Sequence, residues 1–124
     1  MTMVFDSSVL ISHLRGQVPA TDLLLSMPTA ERLVSVLTRV EIEGGMRSGE
    51  RSDFAELFSA VTLVPVSDAM ARQAGRLLRQ FRRSHAGIDL VDYVIAATAQ
   101  LRDARLATLN VRHFPMFSQL VAPW

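Results

Sequence analysis

These 124 residues predict one α/β domain spanning residues 1–124, with a mainly parallel sheet of four to five strands and helices on both faces. Three observations lead there. Strand-like and helix-like segments alternate from end to end, the order that builds parallel sheets through crossover units. No linker, internal repeat or low-complexity stretch interrupts that alternation. The composition, 49% hydrophobic and 20% charged, supplies enough apolar side chain to fill a core at this length.

The elements follow in order. Thr2 to Phe5 is apolar and β-prone, and predicts a first strand ending at Asp6. Ser7 and Ser8 are expected to cap a helix whose apolar-periodic run Val9-Leu10-Ile11-Ser12-His13-Leu14 is closed by Gly16. Pro19 is expected to break the chain, and Thr21 to Met27 to form a short helix stopped at Pro28. Arg32 to Leu37 is the second strand. Thr38 is then the expected N-cap of a helix running to Gly44-Gly45, or through them to Ser48-Gly49. Ser52 to Ala60 predicts a helix with Phe54, Leu57 and Phe58 inward, and Val61 to Val66 a third strand. Ser67 and Asp68 cap a long helix from Ala69 to about Arg83, with Met70, Ala74, Leu77, Leu78 and Phe81 as its apolar face. After Gly87 comes the helix of Asp89 to Leu101, whose stretch Tyr93 to Ala99 is nearly all apolar and therefore buried on most sides. Arg105 to Leu109 is the fourth strand. A turn through Asn110 to Phe114 is stopped by Pro115, and Gln119 to Ala122 is an expected terminal edge strand.

Composition removes several kinds of chemistry. There is no cysteine, so disulfides, thiolate nucleophiles and sulfur-ligated zinc are excluded. No basic region precedes an apolar one at the N-terminus, which predicts no signal peptide, and no apolar run has the length of a membrane span. A cytoplasmic location without membrane attachment is the expectation. Net charge is +1, and all 13 basic residues are arginine. Compositional bias explains that usage, so placement carries more information than identity.

Four acids sit at the edges of apolar runs: Asp6, Glu41, Asp89 and Asp92. Burying an ionised carboxylate in such a place is costly unless it is paired or holds a metal. Several carboxylates converging on one point repel each other, and a hard divalent cation relieves that repulsion. In open parallel sheets ligands bind beyond the carboxyl ends of the strands, where Asp6, Glu41 and Asn110 are expected. Asp89 and Asp92 lie three residues apart on one helix face, in the first turn, where negative charge also suits the helix dipole. Each acid thus has a second reading: Glu41 stands in the capping-box position after Thr38, and the two aspartates are ordinary helix-start residues. The joint reading is a carboxylate-only metal site doing phosphodiester chemistry.

The motifs Asp6-Ser7-Ser8 after an N-terminal strand, mid-chain Glu41, Asp92-Tyr93-Val94-Ile95-Ala96-Ala97-Thr98-Ala99 and Thr108-Leu109-Asn110-Val111-Arg112-His113-Phe114 together resemble PIN-domain ribonucleases. The likeness is greatest to the VapC toxins of bacterial toxin–antitoxin pairs, and it covers nearly the whole chain in order. The resemblance implies that Asp6, Glu41 and Asp92 hold Mg²⁺ or Mn²⁺. It implies that Ser7 supports the first acid and that Asp89 is auxiliary. Where the family often carries a fourth acid this chain has Asn110, with His113 where many relatives have Asp; Asn110 would then hold a water or orient Asp6. The implied activity is a Mg²⁺-dependent endoribonuclease toxin acting on RNA with a metal-activated water, with a cognate antitoxin and a homodimer as partners. The alternative is a non-catalytic PIN-like RNA-binding or regulatory module.

Arg72, Arg76, Arg79 and Arg83 form one stripe on the long helix, either a solvated face or a phosphate rail for RNA. The apolar early helices, through Leu10, Ile11, Leu14, Leu23, Leu24 and Leu25, supply either ordinary core or a partner interface. The histidines at 13, 85 and 113 are scattered and carry no expected catalytic role. A dehalogenase-type phosphatase would need an acid at position 8, where Ser8 stands, and a receiver-type protein would need a lysine.

Overall fold

The computed structural model describes residues 1–124. Four parallel strands, β1 (Met3–Phe5), β2 (Arg32–Ser35), β3 (Thr62–Val64) and β4 (Arg105–Ala107), form one sheet in the order β3-β2-β1-β4. Six helices cover it: α1 (Ser7–Leu14), α2 (Val18–Leu25), α3 (Val36–Gly44), α4 (Arg51–Ser59), α5 (Asp68–Phe81) and α6 (Leu90–Leu101). Alternation along each strand divides the core. Val4, Leu33, Val64 and Leu106 face α5 and α6, packing on Met70, Ala74, Leu77 and the Tyr93–Ala99 stretch. Phe5, Val34 and Ala107 face α1 to α4, packing on Val9, Leu10, Leu24, Ile42, Phe54 and Phe58. Both sheet faces are therefore buried, as a parallel sheet requires.

The strand order positions the site. The chain moves outward through β1, β2 and β3, then returns to the other side of β1 with β4. Order reverses between β1 and β4, and the crevice beyond their carboxyl ends is the switch point where ligands bind in open sheets. Asp6 follows β1 and Thr108 follows β4.

Several boundaries differ from expectation. Ser7 and Ser8 lie inside α1, and Asp6 is the residue that precedes it. Pro19 does not break the chain; it sits in the first turn of α2, where its missing N–H costs nothing. β2 ends at Ser35, whose hydroxyl accepts the Leu37 N–H at 3.2 Å and caps α3. Thr38 is consequently a buried residue inside α3, and Glu41 falls in the second turn instead of a capping box. No fifth strand forms at Gln119 to Ala122. Met116, Phe117 and Leu120 lie against the α5–α6 side of the core, so that segment satisfies its apolar residues by packing and not by pairing. Of the early apolar residues only Leu25 is left exposed; Leu10 and Leu24 are buried, and Ile11, Leu14 and Leu23 are packed against the core.

A candidate metal centre of four carboxylates

Asp6 extends the β1–β4 ladder by donating its N–H to the Ala107 carbonyl at 3.0 Å, then turns into α1 with extended backbone angles. Its carboxylate makes no capping bond to the helix it precedes. Instead Oδ2 accepts from Ser8 Oγ at 3.0 Å and from Thr108 Oγ1 at 2.8 Å. Those hydroxyls are themselves held, since Ser8 Oγ accepts the Leu109 N–H at 3.0 Å and Thr108 Oγ1 the Asn110 N–H at 2.9 Å. Asp6 is only 2% exposed, yet Oδ1 takes no hydrogen bond and is not sealed from solvent. A buried carboxylate with one oxygen locked by two donors and the other open has the chemistry to ligate a hard cation.

Asp92 stands at the third position of α6 and shares a capping box with Asp89. The Asp92 N–H donates to Asp89 Oδ1 at 3.1 Å, and the Asp89 N–H donates to Asp92 Oδ2 at 3.3 Å. Reciprocal bonds of this kind satisfy two orphan N–H groups of the helix start. His113 Nδ1 stands 3.1 Å from the same Oδ2. Here too Oδ1 has no partner within the protein. Asp89 is exposed, and its capping role holds it in place.

Glu41 stands at the open rim of this crevice on α3. Although it meets solvent, loss of hydration against the surrounding protein pushes its carboxyl above the usual range. The charges of Asp6, Asp89 and Asp92 add to the rise, and a side-chain hydrogen bond with Ser7 works against it. Asp92 is raised as well, first by burial and then by Asp89, with Asp6 adding; the Asp89 backbone bond and His113 oppose. The four acids therefore share one repulsive field, and three separate elements bring them there. No three acidic or histidine side chains stand where they would directly ligate one ion. The donor set nevertheless fits Mg²⁺ or Mn²⁺: all-oxygen, with two open Oδ1 atoms and a solvent-exposed third acid. Mg²⁺ keeps several of its waters and needs only one or two carboxylates in direct contact.

Residues 3–117 match the model of the PIN domain. The chain belongs to the PIN-domain family. Among full-length relatives, "Ribonuclease VapC10" of Mycobacterium tuberculosis is 48% identical over 123 residues, covering 98% of this chain and 92% of that one. "Ribonuclease VapC19" of the same organism is 45% identical, covering 98% of each. The fold is shared with a toxin–antitoxin complex from Klebsiella pneumoniae, at a TM-score of 0.83 and 24% identity over 99% of this chain and 98% of that one. It is shared also with FitAcB from Neisseria gonorrhoeae, at 0.78 and 20% identity over 99% of both chains.

Within this PIN domain the expected residues separate into groups. Asp6, Asp89 and Asp92 meet at the switch point, with Glu41 facing them from α3. Ser7 makes no hydrogen bond to Asp6; its neighbour Ser8 takes the supporting role. Asn110 is exposed, and only its backbone N–H enters the network. Thr108 and His113 were not expected to touch the acids. Both lie in the Thr108 to Phe114 motif, and His113 stands where many PIN-domain relatives have Asp, which was the available signal. The arginine stripe is exposed throughout. Arg72 pairs with Asp68 at 3.2 Å and Arg76 donates to Gln73 at 3.1 Å, while Arg79 and Arg83 form no ion pair. No helix is long and apolar enough to cross a membrane.

Proposed function

We propose that this PIN domain is a metal-dependent endoribonuclease, the toxin of a toxin–antitoxin pair, acting in the cytoplasm and restrained by a cognate antitoxin. The observation that carries the reading is the convergence of Asp6, Glu41 and Asp92 at the switch point, with an unengaged Oδ1 on both aspartates. Near-half identity over almost the full length to two proteins named ribonucleases supports it.

In this reading Asp6 and Asp92 would hold Mg²⁺ or Mn²⁺ through their open oxygens, with Glu41 as a third acid from α3. When bound, the cation supplies charge neutralisation at the scissile phosphate and an acidified water. Ser8 and Thr108 keep Asp6 from rotating away. The fixed acids would define where the cation sits, and no side-chain nucleophile is required. Arg79 and Arg83, free of ion pairs, are the members of the stripe best placed to contact RNA phosphates. Arg72 and Arg76 contribute to the same rail once released from Asp68 and Gln73. A homodimer belongs to the same proposal.

A second reading, a non-catalytic RNA-binding or regulatory module, draws on the absence of a ready three-ligand cluster and on Asn110 in place of a further acid. Incubating the protein with total RNA, with and without Mg²⁺, separates the two. Metal-dependent cuts that vanish in Asp6→Asn support the nuclease; RNA binding without cuts under every metal condition supports the module.

A further inference from the structure

Two arginines outside the α5 stripe flank a cleft that begins at the acids. The cleft lies between α1, α3 and α4, encloses about 200 Å³, and has Glu41 in its wall. Ile11, Leu14, Ile42 and Phe54 give it an apolar floor, and Arg15 and Arg47 line it from exposed positions. Neither guanidinium enters an ion pair. Their backbones are nevertheless fixed. Arg15 closes α1 by donating its N–H to the Ile11 carbonyl at 3.0 Å. Arg47 donates its N–H to Glu50 Oε1 at 2.7 Å, and its carbonyl accepts the Glu50 N–H at 3.2 Å. Glu50, the other acid on the cleft, is thereby engaged with the chain at Arg47.

Free guanidiniums on fixed stems, over an apolar floor, match the chemistry of a nucleotide: an anionic phosphate joined to a flat base with apolar faces. A volume of 200 Å³ is below the roughly 300 Å³ at which pockets for whole small ligands begin, so the cleft suits one unit of a chain that runs on past it. Its position fits the same occupant. The cleft belongs to the α1–α4 side of the sheet, and the arginine stripe to the α5–α6 side. Thr98, near the end of α6, meets Met70, near the start of α5, and residues 82–89 alone connect the two helices. The pair is therefore antiparallel, and Arg79 and Arg83 stand at the approach to Asp89. The acids lie between two sets of unpaired arginines. A strand with one phosphate at the acids, running on in both directions, meets the α5 arginines on one side and the cleft on the other.

We propose that the cleft between α1, α3 and α4 is a subsite for the single-stranded RNA next to the scissile phosphate, with Arg15 and Arg47 binding its backbone. This rests on the ribonuclease reading above.

The test is binding of a fluorescently labelled, random-sequence single-stranded RNA to the full-length protein in excess chelator across a salt series. Mn²⁺ binding is measured separately, without RNA. One variant carries Arg15→Gln and Arg47→Gln together. A second, Gly45→Leu, fills the cleft with both arginines in place. Gly45 lines the cleft at a φ of −93°, and a Cβ there would meet only the Glu41 and Ile42 carbonyls at 3.7 Å, so leucine brings no backbone strain. Arg102→Gln with Arg105→Gln, where β4 begins at the opposite end of the sheet, controls for lost charge. Removing Arg15 and Arg47 should weaken RNA binding roughly 10-fold or more at low salt. It should flatten the log–log salt slope by about 1.4, each single-strand phosphate contact counting about 0.7. Gly45→Leu should lose comparable affinity, and the control pair less than either. Mn²⁺ binding by the Arg15 and Arg47 variant should stay at the wild-type level, which a general disturbance of the fold would not allow. Wild-type RNA affinity and slope in that variant overturns the proposal and leaves the cleft to a protein segment. A loss no greater than that of the control pair overturns it too, as does full RNA binding by Gly45→Leu. A wild type that neither binds RNA nor cuts it in Mg²⁺ sinks the ribonuclease reading itself, and the subsite with it.

Discussion

Asp6 and Glu41 are held in opposite ways. Asp6 is buried at the end of a central strand, and two hydroxyls lock one of its oxygens. Glu41 projects from the second turn of α3 at the solvent rim, opposed by the charges of the other three acids. The contrast suggests a division of labour: rigid aspartates define where a cation sits, and a longer, freer glutamate closes on it. A ligand on a rigid element keeps its geometry when supporting hydrogen bonds lock its rotamer.

The largest effect is expected at the rigid end. Asp6→Asn should cut RNA cleavage by about 100-fold or more, beyond the 10–100-fold typical of losing a mere supporting partner. The metal-free protein should melt at the same or a higher temperature, because one of the repelling charges on Glu41 and Asp92 is gone. Thr108→Val, which removes only the locking donor, should fall within that 10–100-fold range in metal affinity. Equal damage from both would erase the distinction between ligand and support.

Asp92→Asn should be as damaging as Asp6→Asn, and Asp89→Asn much milder. Asparagine is an excellent N-cap, so it keeps the acceptor that Asp89 offers to the Asp92 N–H. Mg²⁺ titrations of cleavage for the two variants decide this. A dead Asp89→Asn beside an active Asp92→Asn would exchange their roles.

Glu41→Gln should show an intermediate loss, on the order of 10-fold at low Mg²⁺, recovering in part as Mg²⁺ is raised. A glutamate serving only the helix would leave cleavage unchanged, and the structure has already removed its capping-box role. Further down the scale, changing Arg79 and Arg83 together to Gln should flatten the salt dependence of RNA binding by up to about two units of log–log slope. Arg72→Gln, whose partner Asp68 already occupies it, should change the slope less.

The smallest effect is on stability against pH. Glu41 and Asp92 both have carboxyls raised in the metal-free fold, so their protonated forms favour folding. That contribution is complete below the ordinary carboxylate range, about pH 4, and is lost as pH rises through the raised folded values. Saturating Mg²⁺ should reverse the trend, because its ligands must be deprotonated. Melting curves with and without Mg²⁺ across this window measure the difference.

The buried and exposed acids of the site were also unequally legible in the sequence. Asp6 and Asp92 sit at junctions that periodicity marks well, a short apolar strand and a buried helix start. The placement of Glu41 depended on where β2 stopped. Val36 and Leu37 read as strand continuation, but the Ser35 cap ends the strand two residues earlier and moves Glu41 half-way along α3. Ser7 and Ser8 are adjacent hydroxyls about 100° apart on a helix, and only the fold decides which of them faces Asp6. Thr108 and His113 reach the acids through chain crossing and loop closure, which local pattern does not encode. The apolar tail Gln119 to Ala122 had strand-like character, yet it lies beside a core that Met116, Phe117 and Leu120 fill by packing.

The central claim is that the aspartates at the switch point hold a cation that drives RNA hydrolysis. Its most direct test is the chemistry of the cut ends left by wild type and Asp6→Asn on one defined RNA, in Mg²⁺ and in excess chelator. The expected result is cleavage by wild type in Mg²⁺ alone, with hydrolytic ends free of 2′,3′-cyclic phosphate, and none by Asp6→Asn. Cuts that persist in chelator, carry cyclic phosphate, or survive in Asp6→Asn would contradict it.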